Sequence, residues 1–391
     1  MKVGIAGVGK LGLCVALCLE EVGHDVMGLD IFPEYVGALN NRTFKSPEPE
    51  DNDLLKNCKN FKMSLNLKDL LNHSDILLIY IQTPNGGSSS SFYDHSLVSN
   101  FLCKVNSEKI KDKHLVIGST VMPGYIDKIG KYLLEDCENC TLNYSPEFIA
   151  QGDIVKGLKY PDTILIGAEN DESGKLMKTL YGSMAPTTFF DKYFLMSPLE
   201  AEITKISVNG FITTKITYAN MIGNLCKSFG DGTVNEHLVC KAIGNDSRIG
   251  KKYFNSGLSY GGPCFPRDNL ALASVLKKQD LENSIPLLID DYNKNHNSLI
   301  VNRILSKQEP FPEGISEGTD YDYIVRGVCY KPNSSINIIE NSSKLEIARE
   351  LVKREKSVLI VDRPSIILEV KKEFGNMFEY SNEDCYNRSS G

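Results

Sequence analysis

Residues 2–30, KVGIAGVGKLGLCVALCLEEVGHDVMGLD, decide the fold class of this chain. An apolar run leads into the pattern G-x-G-x-x-G at 7–12, an apolar helical stretch follows, and a second apolar run ends at Asp30. A glycine-rich turn between a strand and a helix, with an acidic residue about 20 residues further on, is typical of a dinucleotide-binding βαβ unit. The stretch therefore predicts a parallel sheet that is covered by helices.

Each position of the glycine-rich turn suits a bound dinucleotide. Gly7 permits the tight turn, Gly9 lets the backbone approach a pyrophosphate, and Gly12 allows the helix to pack closely on the strand. The helix N-terminus favours phosphates. Asp30 is placed to accept from a ribose hydroxyl and to repel a 2′-phosphate, which favours NAD over NADP. A P-loop is the rival interpretation, but Leu11 stands where that motif needs Ser or Thr as a Mg²⁺ ligand.

The alternation of strands and helices continues beyond this unit. Short β-rich runs are predicted to form strands at 76–81, 114–117, 141–144 and 163–166. Residues 199–226 then run without proline and with only two glycines, which predicts one long helix that joins domains.

A second, smaller α/β unit is predicted near the C-terminus, where strands at 323–328 and 357–362 bracket a helix at 344–354. The Pro/Gly-rich acidic stretch at 309–322 is interpreted as a boundary or surface excursion. The polar tail after Glu379 is expected to fray. The predicted fold class is α/β, with two Rossmann-like doubly wound domains joined by a long central helix.

Composition excludes several classes of function. The chain has 391 residues, a net charge of −7 and scattered Lys and Arg, so two or three domains and no nucleic-acid partner are expected. No apolar run reaches ~18 residues, so no membrane partner is expected. Glu20 and Glu21 argue against an export signal, and eleven cysteines without one predict reduced thiols in the cytoplasm. Cys137 and Cys140 form a single C-x-x-C without a second ligand pair, so no metal is expected.

Cys264 is the candidate nucleophile. It lies in GLSYGGPCFPRD, residues 257–268, where Gly and Pro fix an irregular backbone and a helical pattern follows. The N-terminus of that helix would stabilise a thiolate, and a buried small hydrophobe is the alternative interpretation. Lys205 and Asn209 share one face of the long helix, and Glu147 follows a predicted strand, where ligands collect in parallel sheets. No histidine lies in these loops, so catalysis would depend on Cys, Lys, Asp and Glu.

Eight ordered motifs make the chain resemble the UDP-glucose/GDP-mannose 6-dehydrogenase family over almost its full length. The motifs are GVGKLG at 7–12, QTP at 82–84, STVMPG at 119–124, SPEF at 145–148, A-E-x-x-K-x-x-x-N at 201–209, D-x-R-I-G at 246–250, GGPCFPRD at 261–268 and GVCYKP at 327–332. The resemblance implies three parts, namely an NAD-binding Rossmann domain at 1–196, a central helical dimerisation region with the cysteine loop at 197–306, and a C-terminal Rossmann-like domain for the nucleotide sugar at 307–391.

The resemblance also implies the reaction and the residues that perform it. A sugar CH2OH would be oxidised to a carboxylate with two NAD⁺ consumed, in a homodimer whose favoured substrate is UDP-glucose. The catalytic roles fall on Cys264, Lys205, Asn209, Asp268, Glu147 and Thr120. The cysteine would carry a thioester, the Lys/Asn pair would stabilise oxyanions, and the other three would hold and activate water.

The remaining site residues are implied by the resemblance alone. Cofactor contacts are implied for Gly7, Val8, Gly9, Lys10, Leu11, Gly12, Asp30, Thr83, Pro84, Ser119, Thr120, Glu147 and Arg267. Substrate contacts are implied for Phe148, Ile149, Lys205, Asn209, Tyr253, Ser256, Gly257, Tyr260, Gly261 and Lys331.

Departures from the family pattern keep the substrate open. Arg267 replaces a usual Lys, Tyr35 stands where Lys is common, and residues 335–343, SINIIENSS, place Glu340 where Arg is usual. Ala-Gln at 150–151 replaces Arg-Glu. Three hypotheses follow, namely oxidation of UDP-glucose, the same reaction on GDP-mannose or a UDP-N-acetylhexosamine, and a non-catalytic NAD-binding protein. The intact catalytic residues argue against the third, and the altered segment supports the second.

Overall fold

Two compact units make up the chain, Met1–Lys205 and Ile206–Gly391, and the boundary between them falls inside one long helix. The computed structural model describes residues 1–86, 92–149, 152–185, 192–229, 234–281, 284–307, 311–330 and 337–382. The residues predicted at 150, 151 and 331 lie outside these ranges, as does most of the Gly/Ser-rich stretch at 86–91.

The first unit is built on an eight-stranded sheet. Its strands are β1 (Lys2–Ala6), β2 (Asp25–Leu29), β3 (Phe61–Ser64), β4 (Ile76–Ile79), β5 (His114–Ile117), β6 (Thr141–Tyr144), β7 (Ile164–Gly167) and β8 (Tyr193–Met196). They lie in the order β3-β2-β1-β4-β5-β6-β7-β8, and the first six are parallel in the order of a Rossmann sheet. The strand order reverses between β1 and β4, which is where such sheets bind ligands.

Helices surround this sheet. They are α1 (Lys10–Glu21), α2 (Pro33–Asn40), α3 (Asp51–Asn57), α4 (Leu67–His73), α5 (Ser96–Ser107), α6 (Ile154–Lys159) and α7 (Asp171–Met184), with a π-helical turn at Ile126–Gly130 and a 3₁₀ turn at Tyr132–Leu134. Alternate side chains of β4 enter two cores, with Ile76 and Leu78 in one and Leu77 and Ile79 in the other. Because β4 is buried on both faces, it is apolar at every position, and a short apolar run was sufficient to predict it, whereas β3 and β8 were not predicted.

The second unit contains four helices ahead of a smaller α/β sheet. The elements are α8 (Pro198–Ser228), which crosses the unit boundary, α9 (Glu236–Gly244), α10 (Phe265–Lys278), α11 (Ile285–Ser306), β9 (Ile315–Glu317), β10 (Tyr323–Arg326), α12 (Ser343–Lys353), β11 (Val358–Asp362), α13 (Pro364–Phe374) and β12 (Glu379–Asn382). The strand order is β12-β11-β10-β9, with β9 antiparallel and the others parallel. Two Rossmann-like sheets and a long central helix are therefore confirmed.

Three details differ from the prediction. The first sheet is mixed, because β7 runs antiparallel to β6 after the chain has turned back through α6. The stretch at 309–322 contains β9, whose Ile315 is buried in the core of the second unit. The interpretation of this stretch as a boundary or surface excursion was therefore wrong at β9. Residues Glu379–Asn382 are not frayed, because they pair with β11 beside the buried Phe378. The division into three domains stays a prediction.

The described ranges contain neither a metal site nor a membrane span. These ranges contain no group of three or more His, Cys, Asp or Glu side chains arranged to hold a metal ion. In the same part of the chain, every helix is too short or too polar to cross a bilayer.

Candidate active site

The glycine-rich turn has the shape that a dinucleotide requires. Gly7 adopts φ +85°, a left-handed conformation that favours glycine. A Cβ on Gly12 would lie 2.2 Å from the carbonyl oxygen of Gly7, so only glycine lets α1 approach the turn this closely. A Cβ on Gly9 would meet nothing within 4 Å, which leaves open space before the first turn of α1, where Lys10 and Leu11 begin the helix. These residues fit a bound dinucleotide diphosphate.

Loops that follow β4 and β5 contain the next predicted cofactor residues. Thr83 Oγ1 donates to the carbonyl of Thr120 at 2.7 Å, which joins the two loops. Pro84 is exposed beside this contact. The buried Oγ of Ser119 has no hydrogen-bond partner among the described residues, so it remains able to bond a cofactor. Asp30 directly follows β2, and its carboxylate accepts from the backbone N–H of Ile31 at 2.7 Å.

Tyr35 is hydrogen-bonded to the glycine-rich turn. Its hydroxyl donates to the carbonyl of Val8 at 2.7 Å, and its ring packs edge-on against Phe44. Val8 is itself fully buried. Tyr35 therefore fixes the shape of the turn by a hydrogen bond to its backbone.

Glu147 lies in the loop after β6 with a perturbed acidity. Burial raises the pKa of this carboxyl to about 7, and it outweighs the hydrogen bond from Tyr80 and the positive charge of Lys205, which both lower the pKa. Tyr80 Oη donates to Glu147 Oε1 at 3.2 Å. The Tyr80 ring leaves no room for a Cβ at Gly118, so it joins the loops after β4, β5 and β6. Tyr80 was not predicted, although its position directly after a buried strand is a usable signal.

Lys205 is buried against the same loop. Its Nζ donates to the carbonyl oxygen of Glu147 at 2.7 Å and lies 4.5 Å above the ring of Phe148. Ile149, the next predicted substrate residue, packs against Gly157 of α6. The structure therefore brings together Glu147, Phe148 and Lys205 within the first unit.

Glu202 holds the STVMPG loop in place, a role that was not predicted. Its fully buried carboxylate accepts from the backbone N–H groups of Gly124 and Ile126 at 2.5 and 2.9 Å. Burial raises the pKa of Glu202 to about 7, against these hydrogen bonds, which lower it. Glu202 belongs to the motif at 201–209, one helical turn before Lys205, so the motif itself was the available signal.

Cys264 occupies the N-cap position of α10 and is exposed. Its carbonyl oxygen accepts from the N–H of Asp268 at 2.8 Å, which closes the first turn of the helix. The helix α10 begins directly after the cysteine, at Phe265. A thiol at a helix N-terminus faces unpaired N–H groups that favour the thiolate.

Asp268 and Asn209 are brought together within the second unit. Asp268 is 1% exposed, and Asn209 Nδ2 donates to its Oδ2 at 2.6 Å. Arg267 Nε lies 3.7 Å from Asp268 Oδ1. A buried carboxylate with a charged neighbour and an amide donor is held in one orientation, as a group that positions water requires.

The segment at 337–343 packs against the cysteine loop through backbone atoms and through the side chain of Asn341. The N–H of Gly262 donates to the carbonyl of Glu340 at 3.1 Å, and Asn341 Nδ2 donates to the carbonyl of Gly262 at 3.2 Å. A Cβ on Gly261 would lie 2.0 Å from the Asn341 carbonyl. The ring of Tyr330 covers Gly262, which adopts φ +79°.

Asn220 fixes the loop that precedes the cysteine. Its Oδ1 accepts from the N–H of Gly257 at 2.8 Å, and its Nδ2 donates to the carbonyl of Leu258 at 3.1 Å. Asn220 is 1% exposed. The side chain therefore replaces a backbone partner for two successive residues of the predicted substrate loop, a role that the sequence did not indicate.

The other predicted substrate residues of this unit differ in exposure. Tyr253 is half exposed with φ +61° and packs edge-on against Phe265. Tyr260 is buried, and its backbone N–H donates to Asn293 Oδ1 at 2.9 Å. Ser256 packs against Gly223 of α8, where a Cβ would meet its Oγ.

A cavity of about 620 Å³ adjoins the substrate loop within the second unit. Ser256 and Gly257 line it, as do Arg326 and Gly327 at the carboxyl end of β10. Its charged lining consists of Lys227, Glu236, Arg303, Glu313, Arg326 and Lys344. The volume is in the range of small-molecule sites, and bases outnumber acids, which suits an anionic ligand.

Two family models together match most of the chain. The model for the "UDP-glucose/GDP-mannose dehydrogenase family, NAD binding domain" matches residues 1–185, and the model for the central domain of the same family matches residues 199–295. Together with the Rossmann sheet and its glycine-rich turn, these matches define an NAD-dependent nucleotide-sugar dehydrogenase. The chain belongs to the UDP-glucose/GDP-mannose dehydrogenase family, which confirms the predicted family and cofactor.

Individual relatives agree with this assignment. The UDP-glucose 6-dehydrogenase of Rickettsia bellii is 29% identical over 96% of this chain and 84% of its own length. A UDP-glucose dehydrogenase structure from Pyrobaculum islandicum has a TM-score of 0.83 at 25% identity, over 98% of this chain and 86% of that one. A UDP-D-ManNAc dehydrogenase structure from Pyrococcus horikoshii has a TM-score of 0.75 at 25% identity, over 93% and 83%.

Replacing Tyr35 with Phe is expected to weaken NAD binding without unfolding the protein. The change removes the hydrogen bond to Val8, which is worth about 1 kcal/mol and corresponds to a roughly fivefold increase in Kd. NADH fluorescence titration measures the Kd. Tyr132→Phe, at a highly exposed site, is the matched control and should bind as the wild type does. An unchanged Kd in Tyr35→Phe would show that the turn keeps its shape without this bond.

Proposed function

We propose that the protein oxidises the C6 alcohol of UDP-glucose to the carboxylate of UDP-glucuronate through a thioester on Cys264. The observation that carries this proposal is the exposed thiol at the N-cap of α10, four residues from the buried Asp268. Relatives whose names specify UDP-glucose support the choice of sugar.

NAD⁺ would be the electron acceptor. Two equivalents are needed because the oxidation of an alcohol to a carboxylate removes four electrons. The glycine-rich turn and the start of α1 would hold its diphosphate, and Asp30 would accept from its ribose hydroxyl. Thr83, Ser119 and Arg267 would complete the contacts. The carboxylate at residue 30 excludes a 2′-phosphate by repulsion, so NADP is expected to be a poor substitute.

Cys264 would keep the aldehyde from leaving between the two oxidations. Its thiolate would attack the aldehyde carbon and form a thiohemiacetal, and oxidation at that carbon would give a thioester. Water would then attack the thioester, release the carboxylate and restore the thiol. A covalent link explains how one chain completes a four-electron reaction on one substrate molecule.

Lys205 and Asn209 would stabilise the oxygen that carries negative charge at each stage. They are one turn apart on α8, and removing one such donor typically costs ~10²–10³ in rate. Asp268 would hold the water that accepts the first hydroxyl proton, and Glu147 with Thr120 would orient the hydrolytic water.

The cavity beside the substrate loop is proposed to receive the nucleotide end of the substrate. Its bases would balance the diphosphate, and Gly257, Tyr260 and Gly261 would line the path toward Cys264. A second candidate substrate is a UDP-N-acetylhexosamine, favoured by the fold likeness to the Pyrococcus horikoshii enzyme and by Glu340 in place of the usual Arg. GDP-mannose remains a further alternative.

We further propose a cytosolic homodimer. The described cysteines are all free thiols, as expected for a reducing compartment. Beyond residue 206, α8 exposes a stripe of large apolar side chains at helical spacing, namely Phe211, Tyr218 and Leu225, and the exposed Phe229 follows directly after the helix. A stripe of this kind on a helix is typical of a surface that packs against another helix.

Purified protein is expected to produce two NADH for each UDP-glucose consumed, and little NADH with GDP-mannose or UDP-N-acetylhexosamines. Absorbance at saturating NAD⁺ with limiting sugar gives the ratio, and mass spectrometry identifies the acid. A ratio of two with another sugar only would assign that sugar as the substrate in place of UDP-glucose.

Cys264→Ala is expected to abolish carboxylate formation, because no thioester can form. Cys103→Ala removes another exposed thiol, on α5, and should keep full activity. Undiminished four-electron turnover by Cys264→Ala would refute the covalent route, whereas equal losses in both variants would indicate general damage.

The pKa of Glu147 predicts how hydrolysis depends on pH. Because the pKa is raised to about 7, the carboxylate form grows as pH rises through 7, and thioester hydrolysis should accelerate over that range. Glu147→Gln should slow hydrolysis by roughly 10²-fold, remove this dependence and accumulate an acyl-enzyme visible by intact mass. A pH profile that is the same in the variant would exclude Glu147 from this step.

The proposed dimer predicts a mass twice that of the 43.5 kDa chain in light scattering after gel filtration. Phe211→Glu combined with Leu225→Glu should yield monomers, because two buried charges would lack partners. Leu65→Glu, at an exposed site on the first unit, should leave the mass unchanged. A double variant that stays dimeric would place the interface elsewhere.

A further inference from the structure

A relay of partly buried hydrogen bonds leads from the cavity wall to the backbone of Gly257. Arg303 Nη1 donates to Asn224 Oδ1 at 2.7 Å. Asn224 Nδ2 faces His296 Nδ1 at 3.0 Å, and His296 Nε2 lies 2.8 Å from the Gly257 carbonyl oxygen. His296 is 2% exposed, and all of these residues belong to the second unit.

The partners in this relay leave only one protonation state for His296. A carbonyl oxygen can only accept, so Nε2 must carry a hydrogen. The guanidinium of Arg303 can only donate, which orients the Asn224 oxygen toward it and the Asn224 NH₂ toward the ring and toward the hydroxyl of Tyr292. His296 Nδ1 must therefore be an acceptor, and the ring is the neutral Nε2–H tautomer.

Protonation of His296 would place two hydrogen-bond donors opposite each other. A hydrogen on Nδ1 would point at the NH₂ of Asn224, and the amide cannot turn over without pointing that NH₂ at Arg303. Burial lowers the pKa of His296, and the charges of Arg303 and Lys227 lower it further, while the bond to Gly257 raises it. Other groups around the ring are Tyr292, stacked at 6.2 Å, and the cavity residues Glu236, His237, Glu313, Arg326 and Lys344.

We infer that His296 is a positioning residue for the substrate loop, holding the Gly257 peptide opposite Asn220, and that Asn224 selects the ring state that does so. Asn220 binds the N–H of Gly257 and His296 binds its carbonyl, so both sides of the residue are fixed by buried side chains. The inference rests on the proposed function, because the loop is assigned there to the nucleotide sugar. Loss of the ring bond is expected to loosen the loop and weaken substrate binding.

Two substitutions at His296 test whether the bond from its Nε2–H to the Gly257 carbonyl holds the substrate loop. His296→Leu removes it and should raise KM for the nucleotide sugar about fivefold at every pH, with kcat within twofold and KM for NAD⁺ unchanged. His296→Gln keeps an N–H near the Nε2 position, so it should retain a low KM. Wild-type KM should rise as pH falls well below 6.5, and both variants should lose that dependence. A KM in His296→Leu equal to that of the wild type would overturn the inference.

The substitution Asn224→Asp tests whether Asn224 keeps His296 in the neutral Nε2–H tautomer. A carboxylate would accept from a protonated Nδ1 and from Arg303 together, so imidazolium would fit and still donate to Gly257. The pKa of His296, measured by NMR of ring-labelled protein, should rise, and the low-pH increase in KM should disappear. Asn100→Asp makes the same change on the exposed surface of α5 and should behave as the wild type does. A His296 pKa that does not move in Asn224→Asp would overturn the inference.

The two proposals can fail separately. If the wild type oxidises no nucleotide sugar, the proposed function falls, but His296 titration and hydrogen exchange still test the relay. Exchange at the peptide that contains Gly257 should accelerate in His296→Leu and stay slow in His296→Gln. Equal exchange in both variants would overturn the relay even if the enzyme is active.

Discussion

Hydrogen bonds from buried side chains to loop backbone hold the irregular segments on which the candidate site depends. Glu202 binds the N–H groups of Gly124 and Ile126, and Asn220 binds Gly257 and Leu258. Glu48, which is 2% exposed, accepts from the N–H of Gly152 with both carboxylate oxygens. Loops lack the internal ladders of helices and strands, so a buried loop amide must find a side chain or lose about 1–3 kcal/mol. These side chains therefore give the loops the hydrogen-bond partners that a ladder gives to a strand.

Sequence reasoning predicted what depends on local pattern. The turn at 7–12, the long helix and the apolar strands follow from spacing, and Lys205 with Asn209 follows from helical period. Glu202, Asn220 and Tyr35 act through contacts between residues far apart in the chain. Such contacts leave no trace in the periodic spacing of apolar residues. The short strands β3, β8, β9 and β12 escaped prediction for a related reason, because three or four residues carry little signal until a partner strand pairs with them.

The acidity of Glu147 shows how the fold prepares a group for more than one protonation state. Lys205 lies close enough to lower the pKa of this carboxyl, yet its ammonium is bonded to the backbone carbonyl of the same residue. Burial therefore prevails, and the pKa rises to about 7. A carboxyl that is half ionised near neutral pH can either accept or release a proton, which is typical of functional sites. A direct Lys–carboxylate pair would have removed that ability.

The segment at 337–343 contacts the cysteine loop largely through its own backbone, so its side chains can change without dismantling that loop. Gly262 bonds to the carbonyl of Glu340, and Gly261 is confined by the carbonyl of Asn341. These backbone contacts do not depend on the side chain of residue 340, so the loop can keep its shape when that side chain changes. A change of side chain in this segment can therefore leave Cys264 in place, because the position of Cys264 depends on α10 and on two glycines that tolerate no Cβ.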